Sequence, residues 1–311
     1  MVDLSVKIGK LKLKNPVMAA SGTFGPEYGE LTDINSLGAY ITKTITLKPR
    51  QGNPPPRIAE TASGMLNSIG LENNGVEDFI KDKLPKLSKI KIPIIVSIAG
   101  EYDNELKELA KRLNKIKRIN ALELNLSCPN IKRAPLGFAR GRQGAQMIAQ
   151  DKDATYEIVK AVRRSTALTV IVKLSPNVTD ITEIAKAAES AGADSVSLVN
   201  TFLGIAVDIE TKRPKLGNVT GGLSGPAIKP LALKFVRDAY KCVKIPVIGI
   251  GGIMDYKDAI EFMLCGAAAV QIGTANFVNP DTSIEIIGGI RKYLAINKIK
   301  DARSLIGKLE I

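Results

Sequence analysis

The feature that most restricts the fold is a repeated alternation of short apolar runs, each closed by a turn and most followed by a stretch of helical period. The runs are Val17 to Ala20, Ala39 to Lys43, Ile94 to Ile98, Leu122 to Leu126, Val170 to Leu174, Ser195 to Val199, Val247 to Ile250 and Ala268 to Ile272. Between them, Asp103 to Lys117, Ala154 to Ser165, Thr179 to Ala191, Lys229 to Lys241 and Tyr256 to Cys265 repeat apolar residues at helical spacing. Strand and helix in strict succession argue for a parallel sheet and against a segregated α+β layout. About eight such strands close a (β/α)8 TIM barrel, and 311 residues is an ordinary length for one, so a single domain over 1–311 is expected. Val2 to Leu13 alternates about a turn at Gly9 and predicts an N-terminal hairpin lying as a plug under the barrel.

Composition narrows the chemistry. The chain contains no histidine, which removes His-based triads, imidazole zinc sites and the usual general base together. Its three cysteines, Cys128, Cys242 and Cys265, are too few for a disulfide framework or for the ligands of an ordinary iron–sulfur cluster, and they fit a reducing cytoplasm. The formal charge of +13 suits an anionic ligand or an acidic protein partner. The basic residues are dispersed among acidic ones, as on solvated helix faces, so no nucleic-acid arm is expected. The opening residues lack a long apolar core, so no membrane segment is expected.

Polar residues or glycines mark the end of every run, where barrel enzymes place their sites. They are Ser21 and Gly22, Lys43 and Thr44, Ser97, Asn125 with Cys128, Lys173 with Ser175 and Asn177, Asn200 with Thr201, Gly251 with Gly252, and Gly273 with Thr274. A lone cysteine is ordinarily a small buried hydrophobe. Cys128 is set apart by its neighbours Asn125, Ser127 and Asn130, which make the strand exit suited to a planar, heteroatom-rich ligand beside a proton acceptor or nucleophile. The glycine pairs at the last two exits, with Gly225 on the preceding loop, form the usual barrel phosphate pocket. Lys173 leaves a buried strand toward the same mouth, where an anion would have to compensate it. A phosphate pocket, a lysine and no GxGxxG after the first strand together point to FMN rather than NAD as the bound cofactor. Two long connections look functional: Thr44 to Lys91 as a binding loop, and Pro129 to Asp153 as a lid. Val207 to Val219 reads as a surface hairpin without a role.

The strings MAASGTFG, TKT, MLNSIGLEN, NLSCPN, VKLSPNVTDI, LVNTFLG, GGLSGPAIKP, IGIGGI and IGTANF occur in this order over nearly the whole chain. Together they resemble the dihydroorotate dehydrogenases of class 1, and of class 1B in particular. The resemblance implies an FMN-containing barrel that oxidises dihydroorotate to orotate in pyrimidine synthesis. It carries the flavin contacts onto Ser21, Lys43, Thr44, Asn125, Lys173, Val199, Gly225, Gly251, Gly252, Gly273 and Thr274. The substrate contacts fall on Lys43, Asn67, Ser68, Ile69, Gly70, Leu71, Asn125, Asn200 and Thr201, and the catalytic base on Cys128. No metal is implied. Class 1B relatives form homodimers within heterotetramers and pass electrons to a partner subunit carrying FAD and a [2Fe–2S] cluster, which reduces NAD.

Two positions depart from the family pattern. Ser97 stands where many relatives carry an asparagine facing the flavin, and Lys132 to Gln150 is longer than the glycine-rich lid expected after CPN. The alternatives are a class 1A enzyme passing electrons to fumarate and a flavin barrel acting on another pyrimidine, such as uracil or a tRNA uridine. A basic barrel that only binds gives no reason for a thiol, two lysines and a phosphate pocket at one mouth.

Overall fold

The computed structural model describes residues 2–126 and 148–310. Its centre is a sheet of eight parallel strands: β1 (Val17–Ala19), β2 (Tyr40–Ile41), β3 (Ile94–Ile98), β4 (Ala121–Asn125), β5 (Thr169–Lys173), β6 (Ser195–Leu198), β7 (Val247–Ile250) and β8 (Ala267–Ile272). Neighbours in sequence are neighbours in the sheet, and β1 pairs with β8. A parallel bridge between Met18 and Ala39 joins β1 to β2 and closes the ring. This is the (β/α)8 barrel that the alternation predicts.

Each strand has two buried faces, and two apolar cores result. Leu122, Leu124, Val170 and Val172 point outward and pack with Leu106, Leu109, Ile158 and Val162 of the surrounding helices. Met18, Ile41, Ile95, Ala121, Ile171 and Ile248 point inward and pack with Val6, Ile8, Leu11 and Leu13. The latter four belong to the antiparallel hairpin Val6–Ile8 and Leu11–Leu13, which seals the lower end as a plug. Helix positions follow local chemistry. Asp151 and Asp180 accept hydrogen bonds from the first turns of Lys152–Arg163 and Ile181–Ser190, while Asp255 and Asp258 form a reciprocal capping box on Tyr256–Leu264.

The long connection between β2 and β3 differs from its sequence-based description. Thr44 to Lys91 is structured: Ile58–Thr61 and Gly64–Asn67 form a hairpin, and helical turns run from Gly75 to Lys89. Gly64–Asn67 pairs with Thr220–Ser224, which pairs in turn with Phe202–Ile205. A four-stranded antiparallel sheet therefore stands beside the barrel mouth, built from segments about 150 residues apart in sequence. The stretch Val207 to Val219, with its small ladder Val207–Asp208 against Arg213–Pro214, is the tip of this sheet's second hairpin. It is the surface hairpin that the sequence predicts.

Candidate active site

A cavity of about 400 Å³ opens at the C-terminal ends of the barrel strands, inside the range of small-molecule sites. Its glycine side comes from β7, β8 and the turn after Thr220–Ser224. Gly225, Gly251 and Gly252 have φ of 100°, 125° and 76°, a region that side chains other than glycine enter at a cost. A Cβ on Gly252 would stand 2.7 Å from the Lys229 Cβ and 2.9 Å from the Gly225 carbonyl oxygen. Strand exit and turn thus approach as closely as backbone allows. At Gly273 an added Cβ would meet nothing nearer than 3.7 Å, so room remains for a ligand in front of the chain. The Thr274 hydroxyl donates to Ser224 Oγ at 2.8 Å and ties the β8 exit to the neighbouring sheet.

Amides and hydroxyls form the opposite side. Asn125 Nδ2 donates to Thr44 Oγ1 at 3.3 Å, and Thr44 shares a 2.8 Å hydrogen bond with Ser97 Oγ. Asn200 Nδ2 donates to Asn125 Oδ1 at 3.4 Å, while Asn67 Nδ2 donates to the Gly222 carbonyl at 3.3 Å. Hydrogen bonds therefore chain Ser97 of β3, Thr44 beyond β2, Asn125 of β4 and Asn200 at the β6 exit together, while Asn67 is held within the outer sheet. Ser97 is fully buried and off the cavity wall; among the described residues its hydroxyl pairs with Thr44, which does line the cavity.

The two lysines occupy different settings. Lys43 reaches an open position, where partial burial of its ammonium lowers its pKa from the ordinary lysine range. Glu72 opposes that shift and Arg57 adds to it. Lys173 is only 5% exposed at the cavity floor, with Nζ 4.0 Å from Glu123 Oε1.

All eleven residues assigned to the flavin by resemblance line this one cavity. So do Lys43, Asn67, Ile69, Gly70, Leu71, Asn125, Asn200 and Thr201 of the substrate set. Ser68 does not. Its backbone N–H donates to the Arg57 carbonyl, its carbonyl accepts from Asn53 Nδ2, and its side chain is buried away from the cavity. In extended chain, neighbours point to opposite sides, so Asn67 facing the cavity turns Ser68 away. Left-handed backbone at Gly70 and Leu71, φ 74° and 58°, then returns the chain to the wall.

Ser175 and Asn177 lie off this cavity; Asn177 instead donates to the Thr201 carbonyl and accepts from the Leu203 N–H, fixing the loop after β6. Sequence reasoning missed Met65, Ile250 and Met254 on the wall, which carry no signal to separate them from core. Cys128, Ser127, Asn130 and most of the Lys132 to Gln150 segment lie outside the described residues. Among the described residues no cluster of three acidic or sulfur ligands could hold a metal, and no helix is long and apolar enough to cross a membrane.

A barrel with a glycine cradle at its last two strands, faced by asparagines and lysines, defines an enzyme whose mouth suits a phosphorylated, planar ligand. Known proteins narrow the class. The profile described as "Dihydroorotate dehydrogenase" matches residues 3–294, and the chain belongs to that family of flavin oxidoreductases. Relatives named "Dihydroorotate dehydrogenase B (NAD(+)), catalytic subunit" include one from Thermoanaerobacter sp. (strain X514), 51% identical over 312 residues and the full length of both chains. One from Bacteroides thetaiotaomicron is also 51% identical over the full length of both. Another, from Trichlorobacter lovleyi, is 52% identical over 99% of this chain and 98% of its own. The crystal structure of DHODH in complex with ferulenol from Eimeria tenella superposes with a TM-score of 0.78 at 25% identity, covering 98% of this chain and 88% of that one.

Proposed function

We propose that residues 1–311 form one catalytic unit that oxidises dihydroorotate to orotate in pyrimidine synthesis with FMN as resident cofactor. The observation that carries this reading is one cavity uniting the glycine cradle of β7 and β8 with Lys43, Asn67, Asn125 and Asn200. The cradle fits a phosphate, because Gly251, Gly252 and Gly225 crowd together so tightly that any Cβ on Gly252 would collide, while the space before Gly273 stays open. When bound, FMN supplies the acceptor for the hydride from the carboxylate-bearing carbon of the substrate. The asparagine amides address the imide edge of the substrate, and Lys43 meets its carboxylate. Cys128, two residues past the last described residue of the β4 exit, takes the proton from the neighbouring ring methylene, so that one proton and one hydride leave together.

The relatives' names specify a catalytic subunit linked to NAD, which supports a second component. From the resemblance to class 1B enzymes we assign to that partner an FAD and a [2Fe–2S] cluster; the three cysteines of this chain are too few to ligate such a cluster themselves. The assembly we propose is a catalytic homodimer with one such subunit on each protomer, drawn to a chain of charge +13 if its docking face is acidic. Scattered cysteines, with Cys242 and Cys265 unpaired, fit a cytoplasmic enzyme.

The test is acceptor specificity of the purified chain. It should oxidise dihydroorotate with an artificial dye yet reduce NAD negligibly until the partner is added. Rapid turnover with fumarate would assign it instead to the one-component class, and rapid NAD reduction by the chain alone would remove the partner.

A further inference from the structure

Inside the barrel, one layer below the cavity floor, lies a carboxylate that the proposed reaction does not use. Glu123 sits in mid-strand on β4 and is fully buried. Its Oε2 accepts from Gln271 Nε2 at 2.7 Å and from Ser197 Oγ at 3.4 Å. Its Oε1 has no hydrogen-bond partner among the described residues and stands 4.0 Å from Lys173 Nζ. That separation is too long for a hydrogen bond and short enough for strong charge coupling in a dry interior. An apolar residue would fill this layer without the desolvation that a buried acid incurs.

We propose that Glu123 is a positioning residue that balances the charge of Lys173 and so sets how readily the bound flavin is reduced. The inference rests on the flavin reading above. Before reduction, the acid compensates an ammonium that would otherwise be buried alone beneath the ligand. Because Gln271 and Ser197 anchor Oε2, Oε1 is held short of contact, and the ammonium keeps its donors directed to the cavity. Reduction adds negative charge above Lys173, and two anions then share one cation. Glu123 therefore weakens the pull of Lys173 on the reduced cofactor, and the Gln271 clamp limits how far it does so.

The variants move in opposite directions. Glu123→Gln, which preserves shape, should raise the flavin midpoint potential by at least tenfold in the two-electron equilibrium, about 30 mV. Gln271→Met releases the clamp, lets the acid close on Lys173, and should lower the potential. In a Lys173→Met background, Glu123→Gln should shift nothing. A purely structural role would move the first two variants alike.

Flavin-free protein gives a readout independent of turnover. Glu123→Gln and Lys173→Met should each lower the denaturation midpoint, and the double variant should lose less than the sum. Unchanged potentials, shifts of one sign in both variants, or additive losses in the flavin-free cycle would overturn the proposal. If Glu123→Gln does not fold, the Gln271→Met shift decides, with an unchanged or raised potential overturning it. Failure to bind FMN at all would sink the flavin reading separately, and the cycle would still report on the pair.

Discussion

Replacing Gly252 by alanine places one methyl group at the tightest point of the proposed phosphate cradle. The residue has φ 76°, and the new Cβ would lie 2.7 Å from the Lys229 Cβ, 2.8 Å from the Lys229 nitrogen and 2.9 Å from the Gly225 oxygen. Left-handed backbone costs an L-residue roughly 1–2 kcal/mol. Overpacking against backbone that cannot rotate aside adds about 1–3 kcal/mol. The strain is relieved if the turn at Gly225 to Lys229 moves off the β7 exit, which widens the cradle and transfers the cost to cofactor binding. The total of about 2–5 kcal/mol corresponds to roughly 30- to 4,000-fold weaker binding. Titration of FMN into flavin-free protein, followed by quenching of flavin fluorescence, measures this, and a melting curve of the same sample shows any part borne by folding. An FMN affinity within threefold of the parent together with an unchanged melting temperature would refute the reasoning.

Three further outcomes are expected. Cys128→Ala should slow the reductive half-reaction by about two to four orders of magnitude at neutral pH, the range for a positioned base, in stopped-flow flavin bleaching; a near-parental rate would assign the base elsewhere. Lys43→Ala should weaken substrate binding more than it slows bleaching. In the parent, substrate affinity should be full while Lys43 is protonated and fall as pH rises through its lowered pKa, earlier than for an ordinary lysine; a pH-independent affinity over that rise would contradict this role. In the helix Thr282–Ile296, Gly288→Ala should raise stability by about 0.5–1 kcal/mol because its Cβ meets nothing within 4 Å, whereas Gly289→Ala should lower it by driving a Cβ to 2.4 Å from Tyr256. Equal melting shifts in both would count against the packing described.

The barrel was legible in the sequence because each strand carries its own apolar run, and all eight lie within a residue or two of their expected positions. Its polarity could be misjudged. Along β4 the leucines look like the core face, yet they pack under helices, while Glu123 and Asn125 point into the lumen. A closed barrel has two buried sides, and the polar alternates are the functional ones. The helix Thr282–Ile296 was missed because Gly288 and Gly289 interrupt its pattern, and the helical turns from Gly75 to Lys89 because Pro85 and a run of lysines resemble a linker. The sheet beside the mouth joins Gly64–Asn67 to Thr220–Ser224 by pairing that no local pattern records. Site residues fared better, since glycine, asparagine and lysine at strand exits lie where the barrel brings them together. Ser68 is the one substrate-set residue whose side chain the structure turns away from the cavity, because it follows Asn67 in extended chain, where neighbours face opposite sides.

The central claim is that this single cavity holds FMN and delivers to it the hydride of dihydroorotate. Anaerobic titration of the purified, FMN-loaded chain with dihydroorotate tests it most directly. The flavin absorbance should bleach in proportion to the dihydroorotate added, to completion at about one equivalent per flavin, with orotate formed in equal amount and with no other protein present. A flavin spectrum unchanged by excess dihydroorotate, in protein shown to carry FMN, would contradict it.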